Sequence, residues 1–335
     1  MYCLPVLALG LSVGPTLASP LARSAHAPLA VTEVERPLIL GRGWLELDLG
    51  AEVKSTTGYW GAEGEKVTFV DENGEGGRWL YTTERLGVRY GLTRHAEVYA
   101  EIPVHYVRWT SLDIDYRAPG LAGPRVGGKV EWFRKHAPTV SIVTDAYVRL
   151  PVGTESAGST VGWPNAVSGL PLTTGTMETG IDLAGKQQFG PLALTASVGY
   201  VHRFSSVALY RIEVQGENMA DRFKPGDEVR LALEPVVQLG PLALSARFLY
   251  VQRAVAAVGA SSAGLVPDHD LKPIGDSDGW SLEVTPGLTV NVSRGLDLQA
   301  ALGIPVRGED VVFFPFEELT PTRGLTWAGG VEVRY

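Results

Sequence analysis

Charged side chains in this sequence recur on every second residue. Glu46, Asp48 and Glu52 stand in one run, Arg85 and Arg89 in the next, and Glu97 and Glu101 in a third. Further along, Arg203, Arg230, Arg247 and Arg253 share one phase of three consecutive runs. A period of two is that of a β-strand, in which alternate side chains lie on one face. Carboxylates and guanidiniums interleaved on neighbouring strands have two chemistries open to them. They can fill an interior with cross-strand ion pairs, or line a passage and select solutes by charge. Both readings stand, and they are compatible if a channel remains between the side chains. In a closed ring the arginine runs would lie across from the acidic ones, so a transverse field is expected.

Residues suited to catalysis or metal binding form no comparable pattern. The histidines are His26, His95, His105, His136, His202 and His269. No His-Glu-x-x-His, Gly-x-Ser-x-Gly or phosphate loop occurs. His202 precedes Ser205 and Ser206 and falls on the apolar phase near the end of a run, where a rim histidine is expected. The acidic stretches at 71–77 and 268–279 offer oxygen ligands of the kind that hold calcium, but neither matches an EF-hand, and both read as solvated loops. No enzyme, metal or cofactor is expected. A net charge of -8 argues against a general nucleic-acid binder. The single cysteine, Cys3, lies in an apolar leader and leaves no disulfide for the remainder.

The elements that carry the charged residues are strands. Gly 40 and Pro 22 against Met 3 suit strands and turns better than helices. Period-two segments occupy 44–54, 79–90, 95–107, 125–134, 139–150, 176–187, 192–203, 228–238, 242–253, 280–290, 296–307 and 325–335. Twelve strands of about ten residues have the length of tilted strands crossing a bilayer. Their connections alternate: five short turns and six long loops, at about 55–78, 109–124, 152–175, 205–226, 256–278 and 308–323. That sorting predicts an all-β, antiparallel up-and-down barrel in an outer membrane, with short turns in the periplasm and long loops outside. One face of each strand is apolar. Tyr90, Trp132 and Tyr335 fall at its turn ends, and Tyr106, Tyr200, Tyr250 and Trp280 toward its loop ends. Rings at both limits are the girdles of a lipid-facing surface.

Division of the chain follows. Residues 1–27 read as a signal peptide ending at Ala25-His26-Ala27, 28–41 as an N-terminal periplasmic segment, and 42–335 as the barrel. Outer-membrane lipids, the barrel assembly machinery and a small-molecule solute are the expected partners. "GPLALTASVGYVHR" and "GPLALSARFLYVQR" are near copies, so the repeat unit is a hairpin. Prolines in "EIPV", "RLPV" and "GIPV" mark bulges or strand ends near the outer rim, since Pro donates nothing to a ladder. The final strand, with Val331, Val333 and Tyr335 on the apolar phase, closes the barrel against the first and carries an assembly signal. The loop stretch "VVFFPFEEL" holds Phe313, Phe314 and Phe316, which either fold inward onto an apolar ligand or extend strands above the membrane.

"RGWLELDLGAEV" followed by "LGVRYGLTRHAEVYAEIPV" resembles the start of outer-membrane proteins grouped as the MetA-pathway of phenol degradation family. "AGPRVGGKVEW" and "VRLPVGTE" fall where that family has a Gly-Asp strand start and a Pro-x-Gly strand end, with Pro124 in place of the aspartate. The likeness is clearest over about 40–155. It implies a transporter-like barrel for small organic molecules. Passive passage of small solutes, aromatic compounds among them, is therefore the expected function. A structural or adhesive barrel with a plugged lumen is the alternative, and a lipid-modifying enzyme is third.

Overall fold

The computed structural model describes residues 32–335 apart from 62, 70–75, 111–114, 137–138, 152–175, 208–212, 215–216, 219–221, 260–270, 276 and 311–322. The signal peptide, Phe313, Phe314 and Phe316 therefore lie outside the described residues.

Twelve long strands form one closed sheet. They are β1 (Leu45–Thr56), β2 (Arg78–Gly91), β3 (Ala96–Thr110), β4 (Arg125–His136), β5 (Thr139–Arg149), β6 (Glu178–Phe189), β7 (Leu192–Arg203), β8 (Glu228–Leu239), β9 (Leu242–Arg253), β10 (Gly279–Ser293), β11 (Leu296–Asp310) and β12 (Leu325–Arg334). Each pairs antiparallel with its chain neighbours, and β1 closes on β12 from Glu46↔Arg334 to Ser55↔Leu325. Closure leaves no free edge. All twelve predicted strands are present, with boundaries within three residues of the sequence reading. A thirteenth, short strand, Asp115–Leu121, pairs with the outer half of β3. No helix among the described residues is long and apolar enough to cross a membrane, which says nothing about strands.

The short turns have a local cause. Gly190 and Gly240 take φ 61° and 62°, and each is followed by a proline. A glycine with positive φ at the first central position is what a two-residue type II′ hairpin demands. The prolines near the outer rim also act as expected. Pro103 stands where β3 changes partner, from Arg125 opposite Glu101 to Leu121 opposite Val104. Pro305 borders a register shift between β10 and β11.

That shift corrects one sequence expectation. A strict period of two over 296–307 places Arg307 with Asp297 on the charged, inward phase. The bulge puts it opposite Leu282 on the outer face, where its guanidinium lies 5.9 Å from the Trp280 ring centroid. An extra residue in one strand reverses the face of everything beyond it. A second shift, between Glu131 and Phe133, turns Trp132 and Phe133 outward together.

The outer wall is apolar. Leu49, Leu86, Val98, Val126, Ile181, Leu231 and Leu244 are all exposed, with Trp132 at 71% and Tyr335 at 59% near the turn end. Burying such a side chain is worth ~1.5–3 kcal/mol, so a continuous belt of them is stable only against an apolar medium. The polar interior and apolar exterior are those of a barrel in lipid.

Candidate functional site

The lumen carries the charged residues, and it is organised in levels. At the turn end Arg89 bridges Glu46 on β1 and Glu97 on β3, with Arg89 Nη2 2.8 Å from Glu97. Lys129 on β4 adds a contact of 3.3 Å to Glu97. Arg334 on β12 meets Asp297, and lies 3.1 Å from Glu332. At the loop end, Glu228 on β8 gathers Arg203 at 2.9 Å, Arg230 at 2.7 Å and Arg253 at 3.1 Å. Arg203 also reaches Glu178 at 3.0 Å, which Arg149 meets at 3.1 Å. The expected basic wall is thus largely paired where it stands. Arg203 and Arg253 are buried, and cross-strand carboxylates lie nearer to them than the acids of β1 and β3.

Between these levels the two halves of the lumen differ. On the side of β3 to β6, aromatic rings fill the space. Arg125 lies 3.6 Å from the Tyr147 ring centroid and 5.5 Å from that of Tyr99, and Tyr99 donates a hydrogen bond of 2.8 Å to Asp145. Glu101 stands 3.9 Å from Arg125. These rings lie flat against the wall because the facing inward positions are glycines. A Cβ on Gly127 would come 2.5 Å from the Tyr99 ring, and one on Gly180 would collide with Tyr147.

The opposite side is open. A cavity of about 410 Å³ runs along β8 to β12, β1 and β2. Its wall is built of small residues, among them Gly50, Gly287, Ala301, Ala328 and Gly330, with Thr83, Ser245, Thr285 and Gln299 between them. Asp48, Arg85 and Arg247 of the anticipated lumen residues border it, with Glu52 and Glu234. Arg85 reaches Asp48 at 3.4 Å. Glu46, Arg89, Glu97, Arg203, Arg230, Arg253 and Glu101 belong to the paired levels and the filled half instead.

Residues 32–41 cross the lumen at its turn end. Val34 packs on Ala193, Val236 and Ala243, and Ile39 and Leu40 are buried. Arg36 inserts between Asp297 and Glu332, 2.8 Å from the latter. Lys186 donates to the carbonyls of Glu33 at 2.9 Å and Arg36 at 2.7 Å. The Leu40 amide donates to Glu97. Gly43, at φ 79°, then turns the chain into β1, its amide donating to the Gly91 carbonyl at 2.7 Å. Glu33 lines the floor of the cavity. Sequence reasoning assigned this segment to the periplasmic side without seeing that it enters the mouth. The available signal was "VTEVERPLIL", charged residues followed by a short apolar run, too brief to span a membrane.

At the outer rim His202 lies 3.0 Å from the Asp227 carboxylate, which also accepts from Tyr200 Oη at 2.7 Å and from the Arg203 amide at 3.0 Å. Burial raises the Asp227 pKa, but these hydrogen bonds outweigh it and hold the carboxyl below its ordinary range. The arrangement ties the end of β7 to the start of β8. No group of His, Cys, Asp and Glu fit to hold a metal occurs among the described residues. At the barrel seam, Val331 faces outward and Tyr335 exchanges backbone hydrogen bonds with Leu45 at 2.9 and 3.1 Å. Val333 stands opposite Leu47.

No family model and no curated protein sequence matches the chain. Solved structures do. An outer membrane channel from Pseudomonas putida F1 superposes with a TM-score of 0.63 at 12% identity, covering 88% of this chain and 97% of its own. The TodX monoaromatic hydrocarbon channel gives 0.46 at 10% identity, over 88% and 90%. The NanC porin gives 0.43 at 9%, over 86% and 98%. The first of these shows the fold: an outer-membrane β-barrel.

Proposed function

We propose that this chain is an outer-membrane channel through which small organic solutes bearing polar groups pass passively. The observation that carries this is the asymmetric lumen. One half is filled by tyrosines seated on glycines, and the other is kept open by a wall of small residues with charged side chains along it. The small residues of that wall leave a polar, solute-sized space in the lumen, as the interior of a channel-forming barrel does. The shared fold with a protein described as an outer membrane channel supports the reading, as does the resemblance to the phenol-degradation family. The polar wall favours solutes with hydrogen-bonding groups over bare hydrocarbons.

One observation favours the second reading, a plugged structural barrel: residues 32–41 bar the turn end through Arg36 and Lys186. In the channel reading this segment is a closure that moves aside. Planar-bilayer recording of the folded barrel decides between them. Unitary current steps are expected. Silence across many insertions, with folded protein verified by heat-modifiable migration, favours the structural barrel.

A further inference from the structure

Pairing is the rule in this lumen, and the cavity is where it stops. Glu234 on β8 stands opposite Arg247 on β9, between the register pairs Leu233↔Phe248 and Val236↔Ser245. Both border the cavity, and among the described residues neither makes a hydrogen bond or a close ion pair, so that Glu234 feels the charges of Arg247 and Lys186 only at longer range. Glu52, at the far side of the same void, is likewise without one. Arg85 makes one close contact, 3.4 Å to Asp48, is half exposed, and acts on Glu52 at longer range. At the paired levels Arg89, Arg203, Arg230, Arg253 and Arg334 each close on a carboxylate, so the charges along the cavity stand apart in keeping their polar atoms open to a solute.

From this we infer that the cavity is a binding site for a small zwitterion, a solute carrying one carboxylate and one ammonium group. This rests on the channel reading and names the class of solute that the channel holds. Arg247 receives the carboxylate, for which its planar fork is suited. Glu234 receives the ammonium group. The small residues between them give the carbon skeleton its room, and Thr285 and Ser245 offer hydroxyls along it. Each other class of solute leaves a charge stranded. A bare hydrocarbon would desolvate all three charges and pair none. A simple anion would meet Asp48, Glu52 and Glu234 around Arg247 and an Arg85 already in contact with Asp48, and a simple cation on Glu234 would sit beside Arg247 with no anion to offset it. A void of about 410 Å³ admits a molecule of amino-acid size.

The probe is 4-aminobutyrate, compared by calorimetry on the folded barrel with butyrate, n-butylammonium and butyramide. Binding of 4-aminobutyrate is expected at least tenfold tighter than any of the three. Arg247→Met should lower its affinity at least tenfold, to the level of n-butylammonium, and Glu234→Gln should lower it to that of butyrate. Neither side chain makes a close ion pair, so both variants should fold, which gel migration checks. Equal affinity for all four probes, or none for 4-aminobutyrate, overturns the inference. Proteoliposome flux of the same probes tests the channel reading separately. Flux without preference keeps the channel and removes this site, whereas selective binding without flux keeps the site and removes the channel.

Discussion

Arg36 is the bolt of the turn-end closure, and replacing it with alanine should release residues 32–41 from the lumen. Its guanidinium meets Asp297, lies 2.8 Å from Glu332 and 3.3 Å from Glu33, and its side chain is 16% exposed. Removing one partner of a buried ion pair costs ~3–5 kcal/mol. Arg334 still serves Asp297 and Glu332 after the substitution, so the acids are not stranded and the lower end applies, about 3 kcal/mol. At ~1.4 kcal/mol per factor of ten, the ratio of seated to released segment should fall roughly 100-fold. A thiol at Ile39 reports this directly, because Ile39 is buried in the seated state. Maleimide labelling of Ile39→Cys should be slow, and should accelerate by about the same factor once Arg36→Ala is added. Open probability in planar bilayers should rise with it, and deletion of residues 32–40 should give the largest rise. Labelling and open probability that are both unchanged by Arg36→Ala would refute the reasoning, and the contacts of Arg36 would then be incidental to closure.

Other perturbations have outcomes of comparable clarity. Gly180→Val drives a branched side chain into the Tyr147 ring; a loss of about 1–3 kcal/mol is expected from overpacking, read as a lower denaturant midpoint, and an unchanged midpoint counts against the ring-on-glycine account. Glu228→Gln leaves Arg203, Arg230 and Arg253 short of a carboxylate and should cost about 3–5 kcal/mol, whereas Arg247→Gln should cost under about 1 kcal/mol because it breaks no pair. Arg247→Glu should shift reversal potentials toward cations at low salt, and the shift should shrink near 1 M, where screening acts within about 3 Å. Tyr335→Asp places a charge on the outward face at the barrel seam, and should lower the heat-modifiable folded fraction in cells; normal yield there removes the argument from the last strand.

The sequence by itself determined the barrel. Strand number, boundaries, closure of β1 on β12 and the sorting of turns and loops were all legible, because a bilayer imposes one simple rule on every strand: apolar outward, polar inward, about ten residues long. The alternation of Leu45 to Lys54 and of Ala96 to His105 states that rule in full. The same rule explains where reading failed. It fixes which face a residue is on, and nothing about what fills the interior. Arg307 was misplaced because a bulge adds one residue without any mark in the composition. Arg203 and Arg247 look alike in sequence, and each has a carboxylate across the ladder, yet only the tertiary structure brings Glu178 and Glu228 into contact with the first while Glu234 makes no close ion pair with the second. Tyr99 and Tyr147 fill one half of the lumen because Gly127 and Gly180 happen to face them across strands. Val34, Arg36 and Leu40 find their partners on β3 and on β7 to β12, more than fifty residues away in the chain. Such contacts depend on how far the strands are staggered around the ring. That stagger is a property of the closed sheet and of no single strand.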